Sequence, residues 1–163
     1  MKIGIISDTH DNIDNILKSV REFNNRQVDL VLHAGDFVSP IAVESFAGIK
    51  LVGILGNNDT DIPGLTSAFN KIQGELKGEI YEGEYDGVKL VIYHGTISSK
   101  RDFLIKSGKY DLVIYGHTHR KTTDTIGRTV VVNPGTAKGW IFGFNATIAI
   151  CDTSTRNIEF VNL

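Results

Sequence analysis

The stretch KIGIISDTH, residues 2–10, determines how the rest of the chain is interpreted. Its first part, residues 2–7, is an unbroken run rich in β-branched side chains, which is typical of a strand buried on both faces of a sheet. In residues 12–26 the apolar side chains recur at helical spacing, which predicts a helix with one apolar face that can cover that sheet. The chain is therefore predicted to start with a strand, a polar loop and a helix, and the strand delivers Asp8 and His10 to its carboxyl end.

The same order of strand and polar loop recurs twice. Residues 29–34 form a second apolar run that ends at Gly35 and Asp36, and residues 49–55 form a third that ends at Gly56, Asn57, Asn58 and Asp59. A short helix is predicted for residues 40–47, and Pro63-Gly64 is interpreted as a loop. Successive strands with helical crossovers predict a parallel sheet, and such sheets collect ligand-binding groups at the carboxyl ends of their strands.

The second half of the chain has a different pattern. Residues 79–85 and 88–93 flank Asp86-Gly87, a strong signal for a β-hairpin. A helix is predicted for residues 99–107, and further short strands for residues 112–115, 129–132, 146–151 and 158–161. Two facing sheets with outer helices are expected. No internal repeat or linker is visible, so we expect a single domain over residues 1–163.

Composition narrows the classes of protein that fit. The 163 residues are 41% hydrophobic and carry a net charge of -2, so there is no long-range positive field and stable nucleic-acid binding is not expected. Cys151 has no partner for a disulfide, which fits a reducing compartment. No apolar stretch approaches the ~20 residues of a membrane span. A soluble, cytoplasmic protein without a membrane partner is expected.

A side chain able to bind metal follows a predicted strand five times. Each case alone has an ordinary explanation: a helix cap or turn for the Asp and Asn clusters, and a hydrogen-bonded, half-buried ring for His94. Independent turns, however, have no reason to place all these groups at strand ends of one fold. The residues concerned are Asp8 and His10, then Asp36, then Asn57 to Asp59, then His94, then His117 and His119.

These side chains are numerous enough for two metal ions. Two neighbouring ions need a bridging carboxylate and about three more protein ligands each. Asp36 would bridge, Asp8 and His10 with one histidine would complete one ion, and Asn57 with two histidines would complete the other. Imidazole, carboxylate and amide oxygen suit manganese, iron, nickel or zinc. No Ser-His-Asp arrangement and no phosphate-binding loop with Lys-Ser/Thr is recognisable.

The five clusters match, in order, the motifs D-x-H, G-D, G-N-x-D, H-G and G-H-x-H. With these motifs the chain resembles the calcineurin-like metallophosphoesterases, and within them the small bacterial and archaeal phosphodiesterases, from residue 2 to about residue 151. The resemblance implies an α/β fold, a four-layer α-β-β-α sandwich of two mixed sheets flanked by helices. It also implies two divalent ions, with Mn²⁺ expected first and Ni²⁺, Fe²⁺ or Zn²⁺ as alternatives. The ligands would be Asp8, His10, Asp36 and His119 for the first ion, and Asp36, Asn57, His94 and His117 for the second.

The implied activity is hydrolysis of a small phosphodiester by attack of a metal-bound hydroxide. Asn58 and Asp59 are the expected catalytic residues: Asn58 stands where many relatives carry a histidine thought to protonate the leaving group, and Asp59 is expected to orient the loop. His33 is expected to support the site. A phosphomonoesterase or nucleotidase with the same site is an alternative, as is a non-catalytic scaffold such as the retromer subunit of this fold. Residues 140–142, Trp-Ile-Phe, would form a subunit contact, a substrate wall or core, and a homo-oligomer, dimer or tetramer, stays open.

Overall fold

The structure, a computed structural model, describes residues 1–140, 143 and 145–163. The expectation for Ile141 and Phe142 lies outside these residues, whereas Trp140 is described and strongly exposed. The helices are α1 Ile13–Asn25, α2 Pro40–Glu44, α3 Ile62–Lys71 and α4 Ser98–Lys106. The strands are β1 Lys2–Ile6, β2 Leu30–His33, β3 Leu51–Gly53, β4 Glu75–Leu76, β5 Ile80–Tyr85, β6 Val88–Tyr93, β7 Leu112–Ile114, β8 Thr122–Ile126, β9 Thr129–Asn133, β10 Thr147–Asp152 and β11 Ile158–Asn162.

The strands form two mixed sheets, as expected from the sequence. The first has the order β11-β10-β1-β2-β3-β4, in which β1 to β4 are parallel and β10 and β11 are antiparallel additions. The second has the order β5-β6-β7-β9-β8, with a parallel centre and an antiparallel strand at each edge. The parallel strands are buried almost throughout, which explains why they read as continuous apolar runs.

Three apolar layers hold the four structural layers together. Ile16 and Phe23 of α1 pack with residues of α2 and α3 against the outer face of the first sheet. Alternate residues of β1 and β2, such as Ile3 and Leu32, face the second sheet and form the central layer. Leu104 of α4 packs against the outer face of the second sheet. The α-β-β-α sandwich predicted from the sequence is confirmed.

Two local signals explain the ends of elements. The side chain of Asn12 accepts a hydrogen bond from the backbone N–H of Asn15 and so caps α1, which separates the helix start from the polar loop before it. Asp86 and Gly87 have φ of 50° and 75°, as a two-residue turn with left-handed residues requires, and they join β5 to β6.

The sequence interpretation was wrong for Pro63-Gly64, which lies in the first turn of α3 and not in a loop. A proline is tolerated there because its missing N–H has no partner inside the helix at that position. Asp61 caps this helix by accepting the N–H of Gly64 at 3.0 Å. Strands β4 and β8 were also not predicted. The first has two residues, and all five residues of β8 are exposed, so it shows no apolar alternation.

The carboxyl ends of β1, β2, β3, β6 and β7 meet at one edge of the sandwich. The N–H of Asp8 donates to the carbonyl of Gly35, and the N–H of Gly116 donates to the carbonyl of His94, so neighbouring loops are bonded to each other. The imidazole of His94 reaches across from the second sheet to the carbonyl of Ala34 in the first. In the part of the chain that the structure describes, we find no helix long and apolar enough to cross a membrane.

Candidate metal centre

Asp8 lies at the centre of the predicted site and is fully buried. Its Oδ2 accepts a hydrogen bond from the backbone N–H of His117 at 3.1 Å. Its Oδ1 lies 3.2 Å from Nε2 of His119 and 3.8 Å from Nε2 of His10. Burial alone would raise the pKa of Asp8, but interactions with His10 and His119 outweigh burial and hold that pKa well below its usual value. The carboxylate of Asp8 is therefore ionised at neutral pH, which is the form that binds a metal ion.

Asp36 is the second buried carboxylate, and it contacts residues from both sheets. Its Oδ1 accepts the backbone N–H of Asn58 at 2.9 Å, and its Oδ2 accepts Nδ2 of the same side chain at 2.7 Å. Oδ2 also lies 3.3 Å from Nε2 of His94 and 3.5 Å from Nε2 of His10. Burial opposes ionisation of Asp36, but His94 and the hydrogen bonds from Asn58 outweigh it and lower the pKa.

The fully buried ring of His94 is oriented by a hydrogen bond from its Nδ1 atom. Nδ1 lies 2.7 Å from the carbonyl of Ala34, and because a carbonyl only accepts, Nδ1 carries the proton. The lone pair of a neutral ring then lies on Nε2, which faces Asp36. Burial lowers the pKa of His94, but the two carboxylates outweigh burial and raise it. A histidine held by a backbone carbonyl in this way is the usual arrangement of a metal ligand.

Two groups of side chains bring ligand atoms close enough for one ion each. Asp8, His10 and His119 form the first group, and Asp8, Asp36 and His94 form the second, with ligand atoms within 4.8 Å of one another in each. The shared member is Asp8, whereas the sequence interpretation made Asp36 the bridge. Asp36 nevertheless lies near His10 of the first group and His94 of the second. Both carboxylates are thus placed between the two groups.

The hydrogen bonding of the centre tests whether metal ions fit it. Among the described residues, four buried side-chain atoms have no hydrogen-bond partner: three are metal-ligand types, Oδ1 of Asp8, Nε2 of His10 and Nε2 of His94, and the fourth is the hydroxyl of Ser7. Leaving a buried polar atom unpaired costs about 1–3 kcal/mol, so three neighbouring cases call for a specific explanation. Carboxylate oxygens and imidazole nitrogens are ligands that manganese, iron, nickel and zinc accept. Divalent ions therefore fit the residues present.

Asn57 and His117 lie at the exposed rim of the centre. Oδ1 of Asn57 is 3.0 Å from Nδ1 of His117 and 3.4 Å from the hydroxyl of Thr96. The rings of His117 and His94 are 5.2 Å apart between centroids. Burial is the main cause that lowers the pKa of His117. The structure thus brings together all seven side chains predicted as ligands, although Asn57 and His117 contact each other and lie outside the two groups.

Several of the predicted ligands have a left-handed backbone conformation. Left-handed conformations cost about 1–3 kcal/mol for most residues, although Asp and His tolerate them better than bulky side chains do. Such conformations are typical of sites where the backbone must aim a side chain. Five predicted ligands have positive φ: Asp8 (54°), His10 (42°), Asp36 (65°), His117 (64°) and His119 (59°).

Asp59 positions the loop and does not face the ligand atoms. Its buried carboxylate accepts three backbone N–H groups, from Asp36, Val38 and Gly56, each at 2.8 Å. Burial raises the pKa of Asp59, and these three hydrogen bonds oppose the rise. These bonds are those of a residue that positions the loop, and a catalytic role for Asp59 stays a prediction. Asn58, in contrast, is exposed and bonded to Asp36, so it can face a substrate.

His33 supports the β2 loop from below. Its Nδ1 accepts the N–H of Gly35 at 3.1 Å, its Nε2 lies 3.2 Å from the hydroxyl of Thr9, and its ring stacks on Phe37. Burial lowers the pKa of His33 to about 3, so the ring is neutral. This agrees with the supporting role expected from the sequence.

Asn133 has a structural role that the sequence interpretation did not assign. Its Nδ2 donates to the carbonyl of Gly116 at 2.8 Å and to the hydroxyl of Thr118 at 3.0 Å, which fixes the turn that carries His117 and His119. Gly116 is needed in this turn because a Cβ there would lie 2.7 Å from Oδ2 of Asp8. The Asn-Pro-Gly sequence that begins at the last residue of β9 was the available signal, since it follows the G-H-x-H motif.

The calcineurin-like phosphoesterase superfamily domain matches residues 1–156 of the chain. The chain belongs to this superfamily. It is 39% identical to a phosphodiesterase of Methanocaldococcus jannaschii over 166 aligned residues, which cover all of the chain and 99% of that protein. The resemblance based on the five motifs is thereby confirmed at the level of the family.

Solved structures agree with the fold. An archaeal phosphodiesterase described as structurally and functionally characterised superposes with a TM-score of 0.92 at 37% identity, and each chain is covered completely. Vps29 of Chaetomium thermophilum superposes with a TM-score of 0.71 at 16% identity, covering 99% of this chain and 96% of that one. At such identity the second likeness shows the fold alone.

Proposed function

We propose that the protein is a phosphodiesterase that uses two divalent metal ions, with Mn²⁺ expected first and Ni²⁺, Fe²⁺ or Zn²⁺ as alternatives. The observation that supports this best is the set of three buried, unpartnered ligand atoms on Asp8, His10 and His94. The relative from M. jannaschii, which is named a phosphodiesterase, supports the choice of a phosphodiester over other phosphoesters.

In this proposal Asp36 contributes to both ions. The first ion would be held with Asp8, His10 and His119, and the second with Asn57, His94 and His117. Divalent ions in such a site activate water as the nucleophile and stabilise the negative charge on the phosphoryl oxygens. The chain itself supplies orientation: the carbonyl of Ala34 fixes the ring of His94, and the amides bound to Asp59 fix the loop of Asp36.

Asn58 is the side chain we propose to contact the substrate. It lies beside Asp36, and its amide donates hydrogen bonds but cannot transfer a proton to a leaving alcohol. Diesters with good leaving groups, such as aryl diesters, should therefore be hydrolysed faster than alkyl diesters. Equal rates for the two would contradict this role of Asn58.

Measurements of hydrolytic activity distinguish the proposed phosphodiesterase from two alternative functions. A phosphomonoesterase would use the same ligands, and a scaffold protein would keep the fold without turnover. Three further properties remain predictions: a small phosphodiester as substrate, the absence of stable nucleic-acid binding and a cytoplasmic location. A homo-oligomer, dimer or tetramer, also remains a prediction.

The test is hydrolysis of bis(4-nitrophenyl) phosphate and 4-nitrophenyl phosphate by metal-stripped protein, with manganese, nickel, zinc or magnesium restored separately. We expect metal-dependent turnover that favours the diester and is lost in Asp36→Ala, whereas Asp14→Ala, which changes an exposed aspartate of α1, keeps it. A preference for the monoester would establish the first alternative, and metal binding without turnover would establish the second.

A further inference from the structure

A pocket of about 160 Å³ opens beside the metal centre and is not explained by metal binding. It shares Asn57 and His94 with the centre, so a group attached to a phosphate at the ions can reach into it. Its remaining walls come from the loop after β3, the residue before β5, the end of β6 and the loop after β6: Leu55, Gly56, Glu79, Tyr93, Thr96 and Ile97.

The pocket is a built feature of the fold. Tyr93 is almost completely buried, and its hydroxyl accepts the backbone N–H of Ile97 at 2.9 Å, which holds the loop after β6 in place. Thr96 donates to Oδ1 of Asn57 at 3.4 Å, which ties the same loop to a predicted ligand. The walls therefore keep a defined distance from the centre.

The size and chemistry of the pocket restrict what it can hold. A cavity of about 150 Å³ lined by aliphatic and aromatic side chains is large enough for one benzene ring. Leu55, Tyr93 and Ile97 supply apolar walls of this kind, and Ile97 is 56% exposed, so its side chain gains burial when the pocket is filled. A single ring fits this volume, whereas the sugar of a nucleoside would extend out of it.

A charged side chain in the wall further restricts which groups the pocket can bind. Glu79 lines the pocket and is exposed, so its carboxylate disfavours an anionic substituent at this place. We propose that the pocket binds one uncharged aromatic ring that is attached to the phosphate of the substrate. This inference rests on the proposed function, and it adds the class of ester group that the site selects.

The test compares the equilibrium binding of phenylphosphonate and methylphosphonate to the manganese-loaded protein by titration calorimetry. The two ligands share the phosphonate and differ in the ring. We expect phenylphosphonate to bind about 10-fold more tightly or better, since several apolar carbons enter the pocket. We expect Ile97→Ala to reduce this ratio about 3-fold or more, since it removes part of one wall.

The matched control is Ile41→Ala on α2, because Ile41 is also 56% exposed and does not line the pocket. It should leave the ratio unchanged. A second arm uses 4-carboxyphenylphosphonate: Glu79→Gln should improve its binding relative to phenylphosphonate about 3-fold, whereas Glu84→Gln, an exposed glutamate of β5, should not.

Equal binding of the two phosphonates by the native protein, no binding of either, or the same ratio in Ile97→Ala and native protein would overturn the inference. Binding is measured apart from turnover, so the two proposals fail separately. Hydrolysis of the aryl diester without a ring preference overturns the pocket alone. A ring preference without hydrolysis of any diester overturns the proposed function alone.

Discussion

Replacing Asp59 with asparagine keeps the shape of the side chain but changes what it offers to three backbone amides. Asparagine can keep one oxygen where Oδ2 accepts the N–H groups of Asp36 and Gly56, and its amide nitrogen then faces the N–H of Val38. One hydrogen bond to a charged acceptor, worth about 1.5–3 kcal/mol, is lost. The two remaining bonds become neutral, while relief of the buried charge offsets part of the loss. We expect a net destabilisation of about 2 kcal/mol.

For a chain of this size, that loss corresponds to a melting temperature lower by about 4–8 °C. Because the same bonds hold the loop of Asp36, we also expect manganese affinity to fall about 10-fold. Urea unfolding of metal-free protein and calorimetric titration with Mn²⁺ measure the two effects. Asp124→Asn on the exposed strand β8 is the control. An Asp59→Asn variant whose unfolding free energy and manganese affinity both equal those of the native protein would refute the positioning role.

Three further predictions concern His33, Asn58 and Gly56. Burial lowers the pKa of His33 from 6.5 to about 3, so the unfolded chain takes up the proton at a higher pH than the folded protein does. The neutral ring therefore contributes stability that is fully present above pH 6.5 and is lost as the pH falls below it. Between pH 7.5 and 5.0 the native protein should lose about 2 kcal/mol of unfolding free energy more than His33→Gln, measured by urea denaturation; parallel losses would argue against it. Asn58→His should raise the rate for alkyl diesters relative to aryl diesters at least about 10-fold, and an unchanged ratio would exclude its position as one for a general acid. Gly56→Ala should weaken manganese binding in a folded protein, since its Cβ would lie 2.6 Å from the backbone nitrogen of Asp36, and native affinity by calorimetry would contradict this.

The predicted elements that agree with the structure have at least one face covered by the rest of the protein. Strands β1 and β2 read as continuous apolar runs because both faces are covered, and α1 shows its periodicity because one face is covered. Strand β8 gave no signal because both its faces are exposed, and α3 was missed because Pro63-Gly64 is compatible with a helix start as well as with a loop.

The site was predictable as a set of residue types at strand ends, but its internal contacts were not. The shared position of Asp8 depends on how the two sheets face each other, and the sequence order of the motifs carries no information about that. The role of Asp59 depends on three amides, two of them from the loop after β2, more than twenty residues earlier. The support from Asn133 likewise joins two loops that local patterns describe separately.

The central claim is that the side chains at this edge of the sandwich hold two divalent ions. Anomalous diffraction from crystals grown with manganese tests it most directly. We expect two peaks per chain in one cluster, one among Asp8, His10 and His119 and the other beside His94, with Asp36 close to both. A single peak, or manganese bound only elsewhere on the protein, would contradict the proposed binuclear centre.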